Sequence, residues 1–209
     1  EYQWKCWKLL ADRDCLDMWN ASIGPINTYI ADDRDGELWY GHADMNTGKR
    51  TATEWGALDA FFAGLLAFSG DIPRARRLQE SSFKMWNVAG VEPEVYNYAT
   101  GKIEDPRYPL RPEIVESTYY LWRLTGDEKY RRMGAKLFAD FVAACRVPDG
   151  YAALKDVTTK EKRDDMESFV FAETFKYFYL LFAPKNAINF DHIVFNTEAH
   201  PLKRMAAER

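Results

Sequence analysis

A spaced series of helix-ending turns constrains this chain more than any other feature. "WKLLADRD" around Asp12, "LLAFSGDIPRARRL" around Asp71, "LWRLTGDEKYRRM" around Asp127 and "YLLFAPKN" around Pro184 each close an apolar helical stretch with a short polar turn. These markers lie 59, 56 and 57 residues apart, and after the first three a second helical pattern follows at once. The repeating unit is a helical hairpin, which must stack on its neighbours to bury its apolar face. Apolar residues at 3.6 spacing predict helices over 2–11, 14–31, 54–69, 72–89, 112–125, 128–146 and 164–183, with Gly70 and Gly126 as stops. Segments 37–49, 91–111, 147–160 and 187–201 are too long for plain connections. They hold alternating stretches such as "LWYGHA", "GYAAL" and "HIVFNT", which predict hairpin-like loops gathered at one end of the helices. Repeated helical hairpins can close into an all-α toroid, an α/α barrel, with a site built from the long loops at one mouth.

Composition serves mainly to exclude. With 47% apolar and 15% aromatic residues among 209, the chain can bury a large core. Its 28 basic and 32 acidic residues give a net charge of −4, and the basic ones are scattered, so the footprint of a nucleic-acid binder is missing. Arg74, Arg76 and Arg77 read as a solvated helix face. No apolar run reaches the roughly 18 residues that cross a bilayer. Cys6, Cys15 and Cys145 form no metal-ligand spacing. Three ordinary thiols are expected, with a Cys6–Cys15 disulfide as the alternative. The first residues already read as the middle of an amphipathic helix, so a piece of a larger domain is expected.

Acids at loop-to-helix entries attract attention first. In "YPLRPEIVESTYYLWRLTG", Pro112 suits a first helical turn, which places Glu113 and Glu116 on one face just inside the entrance. Dipole stabilisation, worth up to about 1 kcal/mol, would account for them. Their company points further: Arg107, Tyr108 and Arg111 lead in, and Arg111 is a poor N-cap whose place suggests a binding role. In "DDMESFVFAETFKYFYLLF", Glu167 and Glu173 are six residues apart, roughly 600° around a helix, and so lie on different faces. Glu173 stands among Phe169, Val170, Phe171 and Phe175, where a carboxylate is expensive unless paired or functional. Asp164 and Asp165 read as helix-entry acids. "HIVFNTEAHPL" ends in a turn rich in oxygen donors, the kind a hard cation needs. His192 and His200 lack a third zinc ligand at convincing spacing. There is no G-x-S-x-G, cysteine–histidine signature or phosphate loop.

Taken in order, "YPLRPEIVESTYYLWRLTGD", "GYAALKDV", "DDMESFVFAETFKYFYLLF" and "VFNTEAHP" resemble the C-terminal half of glycoside hydrolase family 47, the class I α-1,2-mannosidases. "GALDAFFAGLLAFSGD" fits more loosely, so the resemblance covers essentially the whole chain. It implies an (αα)7 barrel of helical hairpins with short β-hairpin loops at one mouth and a C-terminal β-hairpin plug. Residues 1–209 would form the C-terminal portion of a single catalytic domain. The implied activity is calcium-dependent, inverting removal of terminal α-1,2-linked mannose from mannose-rich, N-glycan-type oligosaccharides. Glu113 would be the catalytic base, with Arg111, Glu94 and Phe169 contacting sugar. Thr197 would bind calcium directly, and Glu116, Glu173 and Glu198 would orient its waters.

The resemblance also shows departures. Where most processing members carry an Asp-His pair, this chain reads Gly56-Ala57, as in bacterial members and the endoplasmic-reticulum degradation-enhancing branch. That feature favours the alternative, a noncatalytic mannose-glycan binder on the same barrel. A plain helical scaffold with its acids spread apart is the third reading. The family's acid-side carboxylates lie upstream, and the opening "EY" matches the tail of a D-S-Y-Y-E-Y box, so this stretch alone is expected to be inactive and poorly folded. Periplasm, extracellular space and endoplasmic-reticulum lumen all stay open as compartments.

Overall fold

The computed structural model describes residues 1–204. Seven α-helices run in hairpins: α1 (Tyr2–Leu10), α2 (Arg13–Pro25), α3 (Phe61–Ser69), α4 (Ile72–Ala89), α5 (Glu113–Thr125), α6 (Glu128–Cys145) and α7 (Phe175–Phe182). The spaced turns are real and chemically alike. Ala11, Gly70 and Gly126 end α1, α3 and α5 in the left-handed conformation. The next residues, Asp12, Asp71 and Asp127, then cap α2, α4 and α6 by accepting N–H bonds from Asp14, Arg74 and Lys129. One turn design is thus used three times, and it places the entries of α3, α5 and α7 together at the opposite end.

That end carries the long loops, which fold into small antiparallel sheets. β1 (Ala31–Arg34) pairs with β2 (Glu37–Tyr40), and β3 (His42–Ala43) with β4 (Arg50–Ala52). β5 (Glu54–Gly56), β6 (Val95–Asn97) and β7 (Lys102–Asp105) make a three-stranded sheet that ties the entry of α3 to that of α5. β8 (Arg146–Val147) with β9 (Gly150–Tyr151), and β10 (Ala153–Asp156) with β11 (Glu161–Arg163), follow α6. β12 (Ile193–Phe195) and β13 (Pro201–Lys203) form the last hairpin, and β12 lies against α1.

α5 is the central helix. Every residue from Ile114 to Trp122 is buried, flanked by α3, α4, α6 and α7. α4 and α6 are amphipathic, and α4 spends its outer face on ion pairs: Arg74 with Asp71, Arg76 with Asp127 and Arg77 with Asp33. Gly64 of α3 lets the α5 backbone approach closely, and its N–H donates to Ser117 Oγ at 2.8 Å.

Several expectations need correction. The stretch 54–69 begins as a strand and a 3-10 turn (Leu58–Ala60), because Trp55 and Gly56 pair with β6 before the chain becomes helical. The helix over 14–31 stops at Pro25 and continues as a π-helical turn, Ile26–Ile30. The helix expected from 164 starts only around residue 169. Asp164 and Asp165 lie outside it, Asp165 pairing with Arg163 at 3.4 Å rather than capping. Cys6 and Cys15 are disulfide-bonded across the α1–α2 turn, so only Cys145, which is buried, stays a thiol. No helix among the described residues is long and apolar enough to cross a membrane.

Candidate active site

Glu113 is the first residue of α5, as Pro112 required. Its Oε2 is buried with no hydrogen-bond partner among the described residues, and burial pushes its proton affinity well above the usual carboxylate range. Arg111, two residues earlier, forms a two-pronged bond to Glu94, Nη2 to Oε1 at 2.6 Å and Nε to Oε2 at 3.1 Å. Its guanidinium also lies 5.7 Å from the Phe169 ring centre. Leu110, just before it, takes a positive φ of 65°, a costly state for a branched residue, and buried Thr174 holds it there by donating to the Leu110 carbonyl at 2.9 Å. Arg107 and Arg163 join Arg111, Glu94, Asp165 and Glu167 around an adjacent cavity of about 190 Å³.

Glu116, one turn further along α5, is buried and accepts from Tyr177 Oη at 2.9 Å. Lys5 of α1 reaches it: the ammonium is 3.8 Å from Glu116 Oε1, 2.5 Å from Glu1 Oε1 and 3.1 Å from the Asn196 carbonyl it donates to. Burial raises Glu116 to about 8, with Lys5 pulling the other way and Glu1 adding to the rise. Glu173 is carried on a π-helical turn, Val170–Thr174, a distortion frequent at functional sites. It is buried and raised to about 7, by burial first and then by the charges of Glu198 and Glu1.

The third group sits in the β12–β13 loop. Asn196 Oδ1 accepts the N–H groups of Glu198 and His200, and Ala199 is held at φ 55° while Lys176 donates to its carbonyl at 2.7 Å. The turn presents Thr197 to α1, where its Oγ1 and the Tyr2 hydroxyl are hydrogen-bonded at 2.8 Å. Glu198 stays largely exposed, within reach of the Glu173 field.

All eight residues singled out from sequence therefore lie around one mouth, in two linked clusters. Glu94, Arg111, Phe169 and Glu113 form one; Glu116, Glu173, Thr197 and Glu198 form the other, with Glu113 sensing Glu116 and Glu173. This convergence removes the plain-scaffold reading. Sequence reading left out Lys5, Tyr177 and Glu92. Lys5 follows Glu1, and Tyr177 follows Glu173, by one helical turn, a legible spacing once the acid is known. Fully buried Glu92 had no such signal.

The residues fit a hard cation. Thr197 offers a hydroxyl, and a positive ion nearby would offset the charges of Glu198 and Glu1, which add to burial in lifting Glu173.

Comparison with known proteins finds relatives along nearly the whole chain. The chain is 38% identical over 204 residues to ER degradation-enhancing alpha-mannosidase-like protein 3 of Homo sapiens, covering 97% of this chain and 22% of that one. It is 56% identical over 97 residues to mannosyl-oligosaccharide 1,2-alpha-mannosidase MNS1 of Arabidopsis thaliana, covering 46% and 17%. The alpha-1,2-mannosidase from Trichoderma reesei superposes with a TM-score of 0.86 at 27% identity, over 98% of this chain and 50% of that chain. The chain thus spans half or less of the relatives it matches. Glycosyl hydrolase family 47 matches residues 1–204, and with that match added to the shared toroidal arrangement of helical hairpins, this chain belongs to that family.

Proposed function

We propose that this chain is the C-terminal part of an (αα)7-barrel catalytic domain of an inverting, calcium-dependent α-1,2-mannosidase acting on mannose-rich oligosaccharides. The observation that carries the reading is Glu113: a buried carboxyl at a helix entrance, one oxygen unpaired, beside a charge-neutralised Arg111–Glu94 pair and an aromatic face.

In this reading Glu113 Oε2 accepts the proton of the attacking water. Burial strengthens it as a base, while the Arg111 charge and its own backbone N–H favour the ionised form. Arg111, locked by Glu94, donates to sugar hydroxyls, and Phe169 supplies an apolar face for the ring. Inversion requires a carboxylic acid on the opposite side, far enough away to admit water; we place it in the part of the relatives' length that this chain does not span. Thr197 would hold calcium through its hydroxyl and carbonyl oxygens, with Glu116, Glu173 and Glu198 binding the ion's waters, and β12–β13 serving as the barrel plug. When bound, the ion supplies a fixed positive centre that holds water and sugar hydroxyls in place.

The test is hydrolysis of an α-1,2-mannobiose by the full-length protein with calcium, comparing wild type with Glu113→Gln. Expected are β-mannose as the first product by NMR and a loss of about 10²–10⁴-fold in kcat for the variant. Wild-type turnover by Glu113→Gln would remove the base assignment. Glycan binding without mannose release would establish the noncatalytic reading, which Gly56-Ala57 favours.

A further inference from the structure

Glu92 differs from every other acid described. It lies in the turn between α4 and β6 with no exposed surface, and neither carboxyl oxygen has a hydrogen-bond partner among the described residues. A carboxylate deprived of both water and donors is costly enough that the group takes up a proton instead. The groups that bear on it are Glu113 at the start of α5, Glu94 two residues on, Arg111, and the buried Tyr108 hydroxyl. Arg111 and Glu94 are already committed to each other. Glu113 is not: its Oε2 is also buried and unpartnered. A loop and a helix entry, tied by the Arg111–Glu94 pair, therefore bring two unsatisfied carboxyl groups into one dry region, where Arg111, the cation that bears on both, is already engaged. Like charges so placed do not both ionise near neutral pH.

We propose that Glu92 is a positioning residue for Glu113: it holds its proton after Glu113 has lost its own, so that the pair carries at most one negative charge and that charge resides on Glu113. The inference rests on Glu113 as the base. Burial raises Glu113, and Glu116 and Glu173 add to the rise, while its own backbone N–H and Arg111 favour its ionised form; a second negative charge at Glu92 would push Glu113 further into its protonated, inert form, and a neutral Glu92 adds nothing to that rise.

The experiment follows the carboxylic-acid C=O stretch of the full-length protein by infrared difference spectroscopy as pH rises, in wild type, Glu92→Gln and Glu113→Gln. Glu173 and Glu116 lose their protons by about pH 7 and 8; in wild type a buried-acid band should persist above that range, and Glu92→Gln should lose it. In Glu113→Gln the band should remain but titrate at least about one pH unit lower, because the neighbouring charge is gone. A band unchanged by Glu92→Gln would mean that Glu92 is ionised and overturns the proposal. Titration at the wild-type pH in Glu113→Gln overturns it too, leaving Glu92 neutral for burial alone. Glu92→Asp keeps an acid in place and assigns the band by its displacement if the packing rejects glutamine. None of these readings needs turnover, so failure of the hydrolase reading would be seen separately.

Discussion

Substituting Gly64 by alanine sets two effects of opposite sign against each other. Helix propensity favours alanine by up to about 1 kcal/mol. Packing opposes it, because a Cβ at residue 64 would lie 3.0 Å from Ser117 Cα, 3.0 Å from Ser117 Oγ and 3.3 Å from Tyr120 Cδ2. That hydroxyl also bridges the helices, accepting from Gly64 N–H at 2.8 Å and donating to the Ala60 carbonyl at 2.5 Å. Overpacking costs about 1–3 kcal/mol and a disturbed buried hydrogen bond about 1 more. The obstacle includes helix backbone, which has no rotamer to escape into, so packing should win by about 1–3 kcal/mol, lowering Tm by roughly 2–12 °C in a chain of this size. Urea denaturation should show a lower midpoint with an unchanged slope. Gly134→Ala is the control: its Cβ would meet Leu181 Cδ1 at 2.6 Å, but that is a side-chain tip. It should cost less despite the shorter contact. Stabilisation by Gly64→Ala, or the reverse order of the two, would refute the reasoning. Because Ser117 follows Glu116, a displaced α5 should also impair the site.

Replacing Cys6 and Cys15 by serine opens a link across nine residues and should cost about 2.5–3 kcal/mol on the chain-entropy account; thermal melts with and without reductant check this. Glu116 and Glu173 are raised from 4.5 to about 8 and about 7, so the folded protein binds more protons than the unfolded chain between those limits. With a chelator present, stability should therefore be highest near pH 5 and fall as pH rises to 8, and Glu173→Gln should flatten the slope below about 7. A rise in the urea midpoint from pH 5 to 8 would contradict this. Thr197→Val should abolish calcium binding by the full-length protein in titration calorimetry, and unchanged affinity would remove Thr197 from the metal site.

Local chemistry was largely legible. The Asp12, Asp71 and Asp127 turns, the Gly70 and Gly126 stops and the Pro112 entry each follow from rules acting over a few residues, so spacing alone located them. The strand at 54–56 was missed because its apolar pattern matches a helix. Only pairing with Val95–Asn97, forty residues away, decides otherwise. The Cys6–Cys15 bond overturns the expectation of three thiols for a similar reason, since sequence gives a spacing but not the packing of α1 on α2 that brings the sulfurs together.

The same division runs through the site. Sequence by itself determined the helical-hairpin period, the family and which carboxyl groups stand at loop-to-helix entries. Tertiary structure decided that Lys5 lies between Glu1 and Glu116, that Arg111 is locked onto Glu94, and that Glu92 is buried without a partner near Glu113. The reason is range: caps and turns are satisfied by neighbours in sequence, whereas desolvation and charge depend on what the fold brings near from elsewhere in the chain.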